Sequence, residues 1–148
     1  MCLLKCLDII DFLVDVGTRG DWAMQKLPTD PLSIQNGILI TQASRYPLLI
    51  DPQGQALSWI KSREHGRTPY FGITNLSHPK LKDQLEYAMA EGMALILQQV
   101  ENTVDPMFDP VLERQYLVRG KKRLVNVSDK MMEIMVDKFT MYFISRLP

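Results

Sequence analysis

Short strand-like runs that alternate with helix-like segments constrain the fold of this chain more than any other feature of its sequence. The runs "YPLLI" (46–50) and "MALILQQV" (93–100) are largely apolar, which suits strands buried on both faces of a parallel sheet. Two further strand candidates are "TPYFGITNL" (68–76) and "FTMYFISRL" (139–147), the latter rich in aromatic and β-branched residues. Successive strand–helix–strand units imply right-handed crossovers, so the predicted fold is α/β, a parallel sheet with helices on both faces.

Apolar residues at helical spacing occupy the segments between these runs. After Gln53 the apolar positions, Trp59 among them, fall on neighbouring turns, and we expect this helix to end at Gly66. A second helix is predicted after Ser77, a favourable N-cap residue, and it should end at Gly92.

The remaining segments are less regular, and their predicted structure depends on local signals. An amphipathic helix is expected from the N-terminus to about Val16, with a stop at Gly17, followed by a loop over residues 20–33. The segment "SIQNGILITQAS" (33–44) predicts a helical turn followed by a strand. Beyond residue 100 we expect a short helix within "DPMFDPVLERQYL" (105–117), a strand at "KRLVNVS" (122–128) hairpinned through Gly120, and a short helix or irregular piece at "DKMMEIMVD" (129–137).

Charge balance and cysteine placement limit the expected partners and sites. The 17 basic and 17 acidic residues cancel, so the chain lacks the positive excess that drives binding to nucleic acid or to an anionic membrane surface. Charged residues also interrupt the apolar N-terminal run too often for a signal peptide or membrane anchor. Cys2 and Cys6 lie one helical turn apart, a poor geometry for a disulfide, which favours a reducing compartment. Together with His65 and His78 they have no zinc-ligand spacing, so no metal site is predicted.

The loop after "YPLLI" occupies the place where a phosphate-binding loop would lie. Such a loop needs glycines whose neighbouring N–H groups converge on phosphates, a lysine for the β- and γ-phosphates, and a hydroxyl for magnesium. Here there is one glycine, and Ala56 and Leu57 stand where the lysine and the hydroxyl are needed. A plain strand-to-helix turn is therefore the better interpretation from the residues alone. The loop consists of Asp51, Pro52, Gln53, Gly54, Gln55, Ala56 and Leu57.

The end of "MALILQQV" is the place where an ATPase of this architecture carries an acidic pair. One carboxylate of such a pair helps to hold magnesium, and the other orients or activates water. The chain has Gln98 and Gln99 there, and a neutral amide cannot act as a general base. Glu101 and Asp105 lie beyond the strand end. No catalytic residue is predicted from this strand.

Four weaker candidates for functional residues or segments remain. Ser145 ends the last strand and could contact a phosphate, although a locally bonded or exposed hydroxyl is the commoner role. Arg114 could reach a neighbouring subunit's nucleotide as an arginine finger, and a surface ion pair is the alternative. The basic cluster "RGKKRL" (119–124) is most simply a solvated hairpin, and His78 is expected to help cap its helix.

Several stretches in order resemble the dynein heavy chain family. The most specific is "LPTDPLSIQNGILITQASRYPLLIDPQGQALSWIK" (27–61), preceded by "DFLVDVGTRGDW" (11–22). Further matches are "LKDQLEYAMAEGMALILQQVENTVDPMFDPVLER" (81–114) and "FTMYFISRLP" (139–148). The resemblance is to the fifth AAA+ module of the motor ring, which follows the microtubule-binding stalk, and "LSIQNGI" and "ALSWIK" look more axonemal than cytoplasmic.

The resemblance implies a P-loop NTPase-like (AAA+) three-layer core over residues 31–148, with a degenerate nucleotide site. Residues 1–30 would form an N-terminal helix and a leading loop after the stalk. Module five of the family is regarded as structural and non-binding, with ATP and magnesium held at other modules. Implied partners are the neighbouring AAA+ modules, the dynein complex and microtubules through the parent chain, in the cytoskeleton of a cilium or flagellum. The resemblance also makes Arg114 a candidate trans-acting arginine and Ser145 a sensor-like residue.

The chain departs from the family pattern in extent, because the fifth core strand and the small helical lid are missing. We therefore expect a fragment whose sheet has an open apolar edge beside "YPLLI", which is an aggregation hazard. Two alternatives to the structural, nucleotide-silent role remain. The chain could be a stand-alone interaction fragment that docks on dynein, or a weak independent ATPase that uses Glu101 or Asp105.

Overall fold

The computed structural model describes residues 8–66 and 70–147 of the chain. Cys2, Cys6 and the first part of the predicted N-terminal helix lie outside the described residues. The helices are α1 (Ile9–Leu13), α2 (Val16–Met24), α3 (Pro31–Gln42), α4 (Gln55–His65), α5 (Leu81–Glu91), a 3-10 turn (Pro106–Phe108) and α6 (Asp109–Leu112). The strands are β1 (Leu48–Ile50), β2 (Tyr70–Asn75), β3 (Ala94–Gln98), β4 (Tyr116–Arg119), β5 (Lys122–Val127), β6 (Lys130–Glu133) and β7 (Thr140–Ser145).

Four strands form the predicted parallel sheet, in the order β1-β7-β3-β2. Every neighbouring pair is parallel, so the carboxyl ends of all four strands lie at one edge of the sheet. The last strand along the chain, β7, lies between β1 and β3, where Leu49 pairs with Ile144 and Leu97 pairs with Phe143. The α/β parallel-sheet prediction is confirmed, and this arrangement is consistent with an AAA+ module.

Alternate side chains of the central strands point into two separate cores. On one face, Ile96 and Tyr142 pack with Trp59 of α4 and Trp22 of α2. On the other face, the neighbouring strand residues pack against α5 and the antiparallel strands; this set includes Leu95, Leu97, Met141, Phe143, Leu85, Met89 and Val125. Alternation of side chains along a strand produces this division, so the predicted helix–sheet–helix layering is confirmed.

Within residues 8–24 the structure has two helices, where the sequence predicted one. Helix α1 ends at Leu13, and Asp15 then caps α2, because its Oδ1 accepts a hydrogen bond of 2.9 Å from the Thr18 N–H. The prediction that a helix ends at Gly17 was wrong, since Gly17 and Gly20 both lie inside α2. The expected loop over 20–33 is also shorter, because it begins after Met24.

The strand predicted within residues 33–44 was wrong as well. Helix α3 runs without a break through this segment, and it begins with Pro31 in its first turn. Asp30 caps it, since Oδ2 accepts from the Ser33 N–H at 3.0 Å. A capping aspartate before a proline is a strong start signal, and it outweighs the β-branched residues that suggested a strand.

A second, antiparallel sheet has the order β4-β5-β6. The hairpin predicted at Gly120 is confirmed, and this glycine has a φ of 63°, which a side chain would disfavour. The helix or irregular piece predicted at 129–137 was wrong, because Lys130–Glu133 form β6, paired with β5. Pairing with an existing strand overrides weak local preference in such a methionine-rich segment.

The start of α5 differs in detail from the expectation. Its N-cap residue is Lys80, so Ser77 is not the cap. The Lys80 N–H instead donates to His78 Nδ1 at 3.2 Å, which confirms that His78 helps to order the helix start.

Among the described residues, no helix is both long enough and apolar enough to cross a membrane.

Candidate functional site

The loop from Asp51 to Gly54 connects β1 to α4 at the carboxyl edge of the sheet. The Asp51 N–H donates to the Ser145 carbonyl at 2.8 Å, which extends the β1–β7 pairing by one residue. Gly54 is the N-cap residue of α4 and has a left-handed φ of 78°. No side-chain hydrogen bond comes from Gly54 itself, so the first N–H groups of α4 need another acceptor.

The carboxylate of Asp51 is that acceptor. Its Oδ2 accepts a hydrogen bond of 2.9 Å from the Leu57 N–H in the first turn of α4, and the residue is only 6% exposed. A helix N-terminus attracts anions, because its free N–H groups and the helix dipole both favour negative charge. The chain therefore supplies its own anion where a phosphate loop would bind a phosphate.

Three of the other loop residues lack groups that a phosphate loop uses. Pro52 has no N–H, the Ala56 methyl carries no charge, and the Leu57 side chain cannot coordinate magnesium. A cleft of about 250 Å³ lies beside the loop, between Gln53, Trp59 and the α3 face at Gly37. Sites for drug-sized ligands have volumes of roughly 300–1,000 Å³, so this cleft is small for a nucleotide.

The neighbouring strand end at Gln98 and Gln99 lies on the same edge of the sheet. Gln98 pairs with Asn75 of β2, while Gln99 has a left-handed φ of 60° that turns the chain away from β3. The next residue rejoins the sheet, because the Val100 N–H donates to the Ile144 carbonyl at 3.2 Å. Two neutral amides thus occupy the carboxyl end of β3.

Ser145 lies next to the Asp51 loop, and its hydroxyl is bonded within its own turn. The Oγ atom donates to the Leu147 carbonyl at 2.9 Å and accepts from the Leu147 N–H at 3.2 Å. The structure therefore brings together three of the predicted positions, namely the loop, the glutamine pair and Ser145, at one sheet edge.

Arg114 lies elsewhere, close to the amino ends of β1 and β7. It follows α6 with a left-handed φ of 57°, and its guanidinium lies 5.8 Å from the centroid of the Tyr46 ring. The basic segment 119–124 lies on the exposed β4–β5 hairpin, where Lys122 pairs with Glu133. Neither is part of the Asp51 site, and a contact of Arg114 with another module stays a prediction.

Asp105, one of the acidic residues beyond β3, has a local structural role. Asp105 caps the 3-10 turn, since its Oδ1 accepts from the Met107 N–H at 2.9 Å. Within residues 8–66 and 70–147, no group of three or more histidine, cysteine, aspartate or glutamate side chains could hold a metal ion.

Comparison with known proteins identifies the family. A family described as "ATP-binding dynein motor region" matches residues 20–148. The "Dynein gamma chain, flagellar outer arm" of Chlamydomonas reinhardtii is 44% identical over 96% of this chain. The human "Dynein axonemal heavy chain 8" is 43% identical and the mouse "Dynein axonemal heavy chain 5" 42% identical, each over 96% of the chain.

The match covers only a small part of each of these relatives, because the chain spans about 3% of their length. It nevertheless covers almost all of the chain, including the parallel sheet and the Asp51 loop. The resemblance to the dynein heavy chain family that was inferred from the sequence is thereby confirmed, and the chain belongs to the ATP-binding dynein motor region family.

Proposed function

We propose that this chain is a nucleotide-silent AAA+ module of a dynein heavy chain, equivalent to the fifth module of the motor ring. The observation that carries this proposal is the hydrogen bond from the Leu57 N–H to the buried Asp51 carboxylate. An incoming phosphate would have to displace a carboxylate that is already bonded there, and would meet its negative charge. Neither Ala56 nor Leu57 offers compensation in the form of a positive charge or a metal ligand.

The proposed role is mechanical coupling between ring neighbours and the stalk, while ATP and magnesium act at other modules. Its partners would be the adjacent AAA+ modules and, through the parent chain, the dynein complex and microtubules. An axonemal setting in a cilium or flagellum is supported by the axonemal and flagellar names of the relatives. Coupling of this kind requires that the module has two conformational states. Each neighbour must make different contacts with the two states.

The exposed edge of β1 supports a further part of this proposal. Within the described chain β1 pairs only with β7, and Leu48 and Ile50 are 60% and 57% exposed. A fifth strand and a helical lid from the same heavy chain would cover these side chains. The alternative is that the edge docks the chain, as a separate fragment, onto an assembled dynein.

Titration with fluorescently labelled ATP and magnesium tests the nucleotide-silent role. We expect no saturable binding by the chain up to about 1 mM, the affinity that corresponds to roughly 4 kcal/mol. The matched variant Asp51→Gly/Ala56→Lys/Leu57→Thr restores the missing groups and should gain measurable affinity. Tight, magnesium-dependent binding by the unmodified chain that Gly54→Val abolishes would refute the proposal.

Co-sedimentation distinguishes a β1 edge that is covered by its own heavy chain from one that docks a separate fragment onto dynein. Axonemal dynein with all its modules in place should not retain the added chain if the β1 edge is normally covered by its own heavy chain. Stoichiometric retention that Ile50→Lys abolishes would favour the docking fragment instead.

A further inference from the structure

A small polar cavity lies at the amino edge of the parallel sheet, opposite the Asp51 loop. Its volume is about 190 Å³, and its walls come from the end of α3, the segment before β1, α4 and the start of β7. Three arginines line it, each from a different part of the chain: Arg45, Arg63 and Arg114. The aromatic residues Tyr46, Phe139 and Tyr142 also line it.

None of the ion pairs between residues that the structure describes includes one of these three guanidinium groups. The ion pairs found there join Arg19 to Asp11, Lys122 to Glu133 and Lys130 to Glu86, all at other places. Arg63 lies 5.8 Å from the Trp59 ring and Arg114 the same distance from the Tyr46 ring, so aromatic faces hold both in place.

One donor in this group is buried without an acceptor. Arg63 Nη1 is inaccessible to solvent and makes no hydrogen bond. Leaving a buried charged donor unbonded is costly, and such groups in native proteins are nearly always paired. The position of Arg63 in the last turn of α4 favours a positive charge through the helix dipole, but it does not supply the missing acceptor.

We propose that this arginine pocket, formed by Arg45, Arg63 and Arg114, binds a single small oxyanion, either a carboxylate or a phosphate group. Guanidinium groups present a planar fork of donors that matches both kinds of oxyanion. The cavity is too small for a nucleotide, since sites for such ligands start at roughly 300 Å³. A free phosphate ion or the tip of an acidic side chain from another protein segment fits both its size and its charge.

Binding to the chain is tested with two probes at matched ionic strength. One is inorganic phosphate; the other is a capped hexapeptide with one central glutamate, compared with its glutamine counterpart. Saturable binding is expected for at least one probe, and Arg63→Gln should weaken it about tenfold or more, as for loss of a charge-assisted hydrogen bond. Arg119→Gln, a change on the exposed hairpin, is the control and should leave binding unchanged.

The two probes distinguish the source of the oxyanion. Preference for the glutamate peptide over phosphate would identify a protein carboxylate, and the reverse would identify a phosphate. Failure of both probes to bind, or equal weakening by Arg63→Gln and Arg119→Gln, would overturn the proposal. These outcomes do not depend on the Asp51 site, so they leave the nucleotide-silent role untouched.

Thermal unfolding gives a readout that a purely structural role of Arg63 would not produce. Without phosphate, Arg63→Gln should melt at the same temperature as the unmodified chain or higher, because it removes a buried donor that has no acceptor. Added phosphate should raise the melting temperature of the unmodified chain but not that of the variant. A variant that melts lower by the same amount with and without phosphate would contradict the proposal.

Discussion

The phenolic hydroxyl of Tyr142 on β7 donates a 2.6 Å hydrogen bond to Glu64 Oε1 on α4. Glu64 is fully buried and Tyr142 is 3% exposed, so the bond joins helix to sheet inside an otherwise apolar core. Removal of the donor leaves a buried carboxyl oxygen without this partner.

Tyr142→Phe should therefore lower the free energy of unfolding by about 1–3 kcal/mol, the usual cost of leaving a buried polar group unbonded. Urea titration followed by circular dichroism measures the change. Glu64→Gln keeps an acceptor oxygen, so its loss should be smaller. A Tyr142→Phe variant as stable as the unmodified chain would show that the bond contributes nothing net.

The raised pKa of Tyr142 predicts that the protein loses stability at alkaline pH. Burial, and then the neighbouring Glu64, raise the pKa of Tyr142 above its reference value of 10.0. The folded state thus holds the proton more tightly than the unfolded state. The contribution to stability is complete below pH 10 and is lost as the pH rises from there through the folded pKa.

Urea titrations between pH 8 and pH 11 measure this dependence. Tyr142→Phe should reduce the fall in the free energy of unfolding with pH. The part that remains should come from Tyr46, whose pKa is also raised by burial. An equally steep decline in both proteins would contradict the assignment.

Replacing each of two helical glycines by alanine should change the stability of the protein in opposite directions. A Cβ at Gly37 on α3 would lie 2.9 Å from Trp22 Cζ3, whereas a Cβ at Gly20 on α2 would meet nothing within 4 Å. Trp22 is buried against Trp59, with ring centroids 5.7 Å apart, so it has little room to move.

Gly37→Ala should lower stability by about 1–3 kcal/mol, since overpacking outweighs the gain in helix propensity. Gly20→Ala should raise it by about 0.5–1 kcal/mol through propensity alone. Thermal unfolding of both variants beside the unmodified chain is the measurement, and a stabilised Gly37→Ala would show that α2 shifts freely on α3.

The Asp51 cap should make a measurable contribution to folding. Asp51→Ala removes the acceptor of the Leu57 N–H and should lower stability by about 1 kcal/mol, as for loss of a helix cap. Ser58→Ala, on the exposed side of the same helix, is the control and should change stability little. Equal effects of the two substitutions would contradict the capping role.

The exposed edge of β1 should promote self-association. Leu48 and Ile50 present apolar side chains on a strand that, within residues 8–66 and 70–147, pairs on one side only. Leu48→Lys should reduce the increase of light scattering with protein concentration. Met24→Lys, at an exposed helical position away from any strand edge, should reduce it less.

The parallel sheet was predictable because its strands are apolar, short and separated by helices with clear ends. Residues 33–44 were misassigned because "GILIT" resembles a strand, while the helix start at Asp30 and Pro31 lies a few residues upstream. Strand β6 could not be predicted locally, since its conformation depends on β5 as a partner.

The position of the Asp51 loop was predictable from the sequence, but its hydrogen bonds were not. The sequence placed a degenerate loop after β1, but it could not show that the Asp51 carboxylate turns back to the Leu57 N–H. The arginine pocket was missed for the same reason. Arg45, Arg63 and Arg114 are far apart along the chain, and only the packing of α3, α4 and β7 brings them to one cavity.

Helix α4 extends about 15 Å, from the Asp51 cap at one edge of the sheet to Arg63 at the other. Trp59 and Ile60 in its middle are fully buried against the sheet. A helix packed this closely cannot slide without opening voids. We therefore expect α4 to move as one rigid body, so that a displacement at one edge of the sheet reaches the other edge.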